Sequence, residues 1–245
     1  MFNSIQIKNI ELLKSAAKQA GITNPLSVNA FLSIIYKESG FIPQTEKSYR
    51  NTPNDRIRRI FAATRNLSDD QLNAIKQNDI QFFDLVYLKN PGLGNKYPGD
   101  GYKYRGRGYN QITGRANYEY LSKKLGIDLV NNPDLLNQPE IAARAAAIYF
   151  IDRFLNNAGK LKYYNAKNIN DFKTIDDAVL AFFHANAGWG KSFEAIKADV
   201  TGGLAKAMEI SKQISTFIKD NPGKSGIFFI ALILLGLFVW LIFFK

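Results

Sequence analysis

Two glutamates, Glu38 and Glu46, stand eight positions apart in YKESGFIPQTEKSY, residues 36–49. Glu38 closes the apolar run VNAFLSIIY, and Gly40 leaves space beside it. Partial desolvation of a carboxyl in such a place favours the protonated form, which is what a general acid needs. Glu46 lies in the polar stretch TEKSY, where a carboxylate is equally at home as a base or as a solvated charge. Taken alone, each is explained by surface placement. A third segment, YRGRGYNQITGRANY at 104–118, interleaves glycine, arginine and tyrosine. Gly106, Gly108 and Gly114 let backbone approach a ligand closely; Tyr104, Tyr109 and Tyr118 offer flat faces for a sugar ring or a base. Arg105, Arg107 and Arg115 add positive charge. The same interleaving occurs in single-strand nucleic-acid binders and in plain glycine-rich turns closing a hairpin. No phosphate-cradling pattern can be read in it.

Composition removes several chemistries. The chain has 245 residues, no cysteine and one histidine, His184. A thiol nucleophile, a cysteine-ligated zinc and a site of two or three imidazoles are therefore excluded. Zinc or cysteine amidases and zinc peptidases go with them, and neither metal nor cofactor is expected. The formal charge is +11, from 32 Lys and Arg against 21 Asp and Glu, which points to an anionic partner: nucleic acid, a membrane surface or an acidic polymer. His184, in FFHANAGW, reads as a packed or hydrogen-bonded histidine among aromatics, and Trp189 as core or cleft wall.

The elements that must position these residues are helical. Ile7, Ile10, Leu13 and Ala17 are spaced as one helix face; Val28, Phe31, Leu32 and Ile35 as a second, starting after Asn24 and Pro25 and stopping at Gly40. Residues 53–88 read as helix in pieces, with Ser68 as an N-cap. From 90 to 114 the glycine-rich pattern predicts loop or a short β-hairpin. Helical periodicity returns in ANYEYLSKKLG, PEIAARAAAIYFIDRFL, TIDDAVLAFFHANAG and LAKAMEISKQISTFI. A mainly α fold follows, with a domain over 1–203, an amphipathic helix and linker over 204–225, and a terminal segment over 226–245.

That last segment, GIFFIALILLGLFVWLIFF at 226–244, carries no charge or strongly polar side chain. A helix of this length spans about 29 Å, close to the hydrocarbon thickness of a bilayer, and it is apolar all round. It predicts a single-pass membrane anchor. Lys206, Lys212, Lys219 and Lys224 precede it and only Lys245 follows, a bias that starts the domain on the cytoplasmic side.

KESGF, TEKSY and GDGYKYRGRGYNQITGRANY together resemble the signature of glycoside hydrolase family 19, the chitinases and related phage and bacterial endolysins. The resemblance covers roughly residue 10 to the 140s, more weakly to 203. It implies a lysozyme-like helical domain that inverts the anomeric centre. By that resemblance Glu38 is the general acid, Glu46 the base that activates water, and Thr113 a holder of that water. Tyr104, Arg107, Tyr109, Gln111, Arg115 and Tyr118 would line the sugar cleft. Inversion calls for carboxyls roughly 6.5–9.5 Å apart, leaving room for the water. The chain departs from the pattern in three places. Lys37 replaces the usual histidine before the acid, one glycine rather than two follows it, and Thr201-Gly202-Gly203 is the nearest match to a late Asn-Gly-Gly element.

Chitin is neutral while peptidoglycan bears peptide carboxylates, so the positive charge favours peptidoglycan as substrate, with chitin as the alternative. No nucleic acid is expected as partner. The anchor suggests a virion internal membrane or the host inner membrane. A non-catalytic, membrane-tethered glycan- or nucleic-acid-binding protein is the competing reading.

Overall fold

The computed structural model describes residues 2–187, 190–198 and 203–221. Its body is built from α1 (Ser4–Gln19), α2 (Pro25–Ser39), α3 (Asn54–Ile60), α4 (Asp69–Ile75), α5 (Asp79–Tyr87), α6 (Asp100–Lys103), α7 (Arg115–Leu125), α8 (Pro139–Leu155), α9 (Ile175–Ala187), α10 (Phe193–Lys197) and α11 (Gly203–Asp220). Short 3-10 turns cover Ala62–Thr64, Pro91–Leu93, Pro133–Asn137 and Ala158–Tyr164. The starts follow local chemistry. Asn24 accepts from the Leu26 N–H ahead of Pro25, and Ser68 forms a reciprocal capping box with Gln71.

Helix α2 is central. Every residue from Asn29 to Ile35 is buried, Ala30 and Ile34 as well as the apolar face expected from the spacing, while Val28 is only half-buried. It packs against α9 and α11, while α1 packs on α8. Asn29 Nδ2 donates to Ser211 O at 3.1 Å and Ser215 Oγ at 2.7 Å, a polar tie between α2 and α11. Helix α11 buries Leu204, Ala207, Ile210 and Ile214 in the same core. This corrects the domain limit drawn at 203: the amphipathic stripe faces the domain core and belongs to it, because its apolar side meets α2 and α9.

Two smaller clusters flank this core. Tyr104, Ile112, Tyr118, Leu121, Leu125, Leu129 and Leu136 form one, and Ile57, Leu72, Phe82 and Phe83 the other, the latter ringed by Tyr49, Phe61 and Tyr87. The expected β-hairpin between 90 and 114 is not formed. A 3-10 turn, the one-turn helix α6 and a single antiparallel bridge, Arg107 with Ile112, take its place. Gly94, Gly99, Gly108 and Gly114 all have left-handed φ, as does Gln111 at 54°, so the chain turns too often for a ladder to extend.

Among the described residues no helix is long and apolar enough to cross a membrane. The segment 226–244, Trp189, Thr201 and Gly202 lie outside the described residues.

Candidate active site

Glu38 lies in the last turn of α2, which Gly40 ends in a left-handed cap at φ 60°. Phe41 follows with φ 63°. It adopts the backbone that a second glycine would take without steric cost; for a side chain the cost is about 1–2 kcal/mol. The Phe41 ring is fully buried against Phe2 and Tyr36, and α1 braces the reversal through Asn9 Nδ2 to Phe41 O at 2.7 Å and Gln6 Nε2 to Gly40 O at 3.0 Å. Burial and these bonds offset the strain, and the chain turns towards Glu46 despite the missing glycine.

The surroundings of Glu38 are not the apolar ones its sequence setting implied. Its Oε1 accepts from Lys37 Nζ at 2.6 Å and from Asn186 Nδ2 at 3.0 Å, and the side chain is 26% exposed. Lys37 is itself held: its ammonium lies 5.3 Å from the Phe183 ring centre, and a Cβ on Gly203 would come within 3.0 Å of its Cε. The lysine is enclosed by α2, α9 and the first residue of α11. Among the described residues both donors fall on Oε1.

Glu46 is far from a loose loop charge. Its N–H donates to Gly106 O at 2.7 Å, and Gln44 N donates to Gly108 O at 3.3 Å, so 44–46 runs beside the glycine-rich segment. Its carboxylate accepts from Tyr49 Oη at 3.0 Å and Tyr87 Oη at 2.8 Å on Oε1, and from Gly106 N–H at 3.1 Å on Oε2. A carboxylate has about four acceptor sites, so these three bonds leave one, on Oε2. Burial first, and then the Glu46 charge, push the phenols of Tyr49 and Tyr87 well above their ordinary range, so both remain donors. Asn137 Nδ2 donates to Thr45 Oγ1 at 2.7 Å and pins the same segment.

The glycine-rich block divides by role. Gly106 admits the carboxylate only because it has no side chain: a Cβ there would meet Gln111 Oε1 at 2.7 Å and Glu46 Oε2 at 3.3 Å. Gln111 Nε2 donates to Gln44 O at 2.9 Å, tying the block to the strand that carries Glu46. Thr113 Oγ1 donates to Gln111 O at 2.9 Å, and its lone pairs stay available to accept from water. Both side chains are half-buried.

The remaining cleft residues expected from the sequence are structural. Tyr104, Tyr109 and Tyr118 are each 0% exposed, so their faces pack on neighbours and cannot receive a sugar ring. Tyr104 Oη donates to Val130 O at 3.1 Å, and Tyr118 Oη to Arg105 O at 2.9 Å. Arg107, 2% exposed, donates to Asp134 Oδ1 at 2.7 Å, Lys103 O at 2.7 Å and Tyr118 Oη at 3.1 Å. Arg115 grips Asp100 with two bonds, Nε to Oδ2 at 2.8 Å and NH2 to Oδ1 at 2.6 Å, and lies 4.7 Å from the Tyr104 ring centre. Burial alone would raise the Asp100 pKa; the Arg115 bonds and the N–H groups of Lys96 and Tyr97 outweigh it and hold the carboxyl at about 2. These cations hold the block's shape; their donors are spent internally.

His184 is 2% exposed, with Tyr164 Oη against Nδ1 and Lys191 O at 2.9 Å from Nε2. Burial, then the charges of Lys160 and Lys191, keep its pKa below the ordinary value against the upward pull of the Lys191 carbonyl. Among the described residues no three His, Asp or Glu side chains cluster as a metal ion would require.

Asn186, Tyr49 and Tyr87 are the contacts that sequence reading missed. Asn186 supplies, from the end of α9, the kind of amide sought beside Gly202 and Gly203. Tyr49, three residues after Glu46, carried a readable signal; Tyr87, 41 residues on, did not.

Residues 92–161 match the model of glycoside hydrolase family 19, described as chitinase class I. No curated protein matches the chain. The matched stretch contains the glycine-rich block that clasps Glu46 and stops short of α9 and Asn186; the match supports a glycoside hydrolase of the chitinase and lysozyme type.

Proposed function

We propose that the protein hydrolyses β-1,4 glycosidic bonds of bacterial peptidoglycan, with Glu38 as general acid and Glu46 as general base. One observation supports the assignment of Glu46 as the base. The block that matches the family model binds Glu46 through both the backbone and the side chain, at Gly106, and leaves one lone pair on Oε2. A water accepted there and at Thr113 is positioned to lose a proton as it attacks the anomeric carbon, while Glu38 protonates the departing glycosidic oxygen. The two roles belong to an inverting reaction. Lys37 and Asn186 hold Glu38 through Oε1, which leaves Oε2 to serve the leaving group.

Peptidoglycan is favoured over chitin by charge: a +11 chain is attracted to a polymer bearing carboxylates. Chitin is the second reading, favoured by the description of the matching family. Digestion of purified sacculi and of chitin side by side by the full chain separates them, by which polymer releases product, and mass analysis of the product ends identifies the bond cut. Glu38→Gln should abolish product release. Unchanged wall degradation by that variant, or none by the native chain on either polymer, would remove the enzymatic reading in favour of a glycan-binding protein.

Residues 226–244 would anchor the domain in a membrane, and a virion with an internal membrane is a setting in which such a tethered hydrolase could meet the wall. Detection only in host membranes, never in purified particles, would rule that setting out.

A further inference from the structure

A second basic site lies beyond the two glutamates. Lys160, Tyr163, His184, Lys191, Phe193 and Glu194 line a cavity of about 180 Å³. Tyr163 and Phe193 stack with ring centres 5.5 Å apart and planes 17° apart, and Tyr163 is 49% exposed. Lysines flank the stack on both sides: Lys162 Nζ is 5.4 Å from the Tyr163 ring centre and Lys197 Nζ 5.9 Å from that of Phe193. Glu194 is the one acidic side chain in the lining, against Lys160 and Lys191. Lys162 and Lys197, against the two rings, add positive charge beside the lining. The family match ends at residue 161, so most of this site lies outside it.

We propose that this cavity binds a carboxylate of the peptide stems of the wall polymer, holding the substrate at a second point while the glycan occupies the site of Glu38 and Glu46. The inference rests on the peptidoglycan reading above. The size of the cavity admits one amino-acid residue with its carboxylate. Charge decides its sign, since cation-rich walls concentrate anions. The aromatic pair gives an apolar floor against which a short aliphatic side chain can rest. His184 also lines the cavity and is already engaged by Tyr164 and by Lys191 O, so binding falls to Lys191 and the rings.

The test uses the full chain with Lys191→Glu and, separately, Tyr163→Ala. Retention on purified sacculi is compared with retention on sacculi whose carboxyls have been converted to amides, and turnover is measured on a soluble neutral chitooligosaccharide. Charge reversal at an exposed ion-pair site should weaken sacculus binding by about three- to fivefold. Turnover of the neutral oligosaccharide should stay within about twofold, and amidated sacculi should hold the native chain as weakly as native sacculi hold the variant. Native-like retention of both variants, or equal retention on amidated sacculi, overturns the proposal while leaving wall hydrolysis intact. A native chain that cleaves the oligosaccharide but neither binds nor cleaves sacculi overturns the peptidoglycan reading and the cavity's role together.

Discussion

Gly106→Ala tests how the glycine-rich block serves Glu46. Gly106 does not have a left-handed φ, so an alanine there adds volume without backbone strain. The new Cβ would lie 2.7 Å from Gln111 Oε1, 3.3 Å from Gln111 Cβ and 3.3 Å from Glu46 Oε2. Gln111 cannot simply swing aside, because its amide is bonded to Gln44 O at 2.9 Å. Overpacking of this kind costs about 1–3 kcal/mol. For a chain of this length that lowers the melting temperature by about 2–4 °C per kcal/mol. With Glu46 as the proposed base, the larger effect is on rate. The carboxylate and the Gly106 N–H must separate by some tenths of an ångström, and misplacing a catalytic group by about 1 Å costs on the order of 100-fold. We therefore expect kcat on a soluble oligosaccharide to fall by about 10- to 100-fold with KM little changed, in a protein still folded at 25 °C. The double variant with Glu46→Gln should be no slower than Glu46→Gln alone, since both changes act on one step. A folded Gly106→Ala protein with turnover within about twofold of native, or additive loss in the double variant, refutes the reasoning.

Three further outcomes follow from packing and charge. Asp100→Asn should cost about 3–5 kcal/mol at neutral pH, because it leaves the Arg115 guanidinium beside a neutral partner in a site where Asp100 is only 3% exposed. In the native protein the Asp100 pKa of about 2 against about 3.9 unfolded contributes about 2–3 kcal/mol of stability, fully present above about pH 5 and lost as pH falls through about 2; acid unfolding followed by circular dichroism should show a weaker pH dependence in that window for the variant. His184, with its pKa depressed by burial, binds its proton more readily when unfolded, so native stability should decline as pH drops below about 6.5, and His184→Gln should flatten that part of the curve in denaturant titrations at several pH values. Ile210→Ala removes a side chain 3% exposed in the main core and should cost about 2–5 kcal/mol by thermal melting; a change below 0.5 kcal/mol would return α11 to the linker.

Much of the helical order was legible because it is written in local chemistry. The apolar spacing of ANYEYLSKKLG and PEIAARAAAIYFIDRFL, the Ser68 cap and the Gly40 stop each act within a few residues of themselves. The short elements were not: α6 and α10 have four and five residues, too few to show a period. The side of α11 that carries Leu204, Ala207, Ile210 and Ile214 was recognisable as apolar, but nothing local says whether such a stripe meets its own domain or a membrane.

The site shows the same division. Sequence by itself determined which chemistries were open: with no cysteine and one histidine, thiol and multi-imidazole sites were excluded and carboxylate chemistry was left, and the ordered GRGYNQITGRANY block marked where to look. Tertiary structure decided what each of these residues contacts. It buried Tyr104, Tyr109 and Tyr118, spent Arg107 and Arg115 on Asp134 and Asp100, and brought Tyr87 and Gly106 to Glu46 and Asn186 to Glu38 from positions 41, 60 and 148 residues away. Burial and hydrogen-bond geometry depend on which distant segments share a space, and a residue's type and its neighbours along the chain do not specify that.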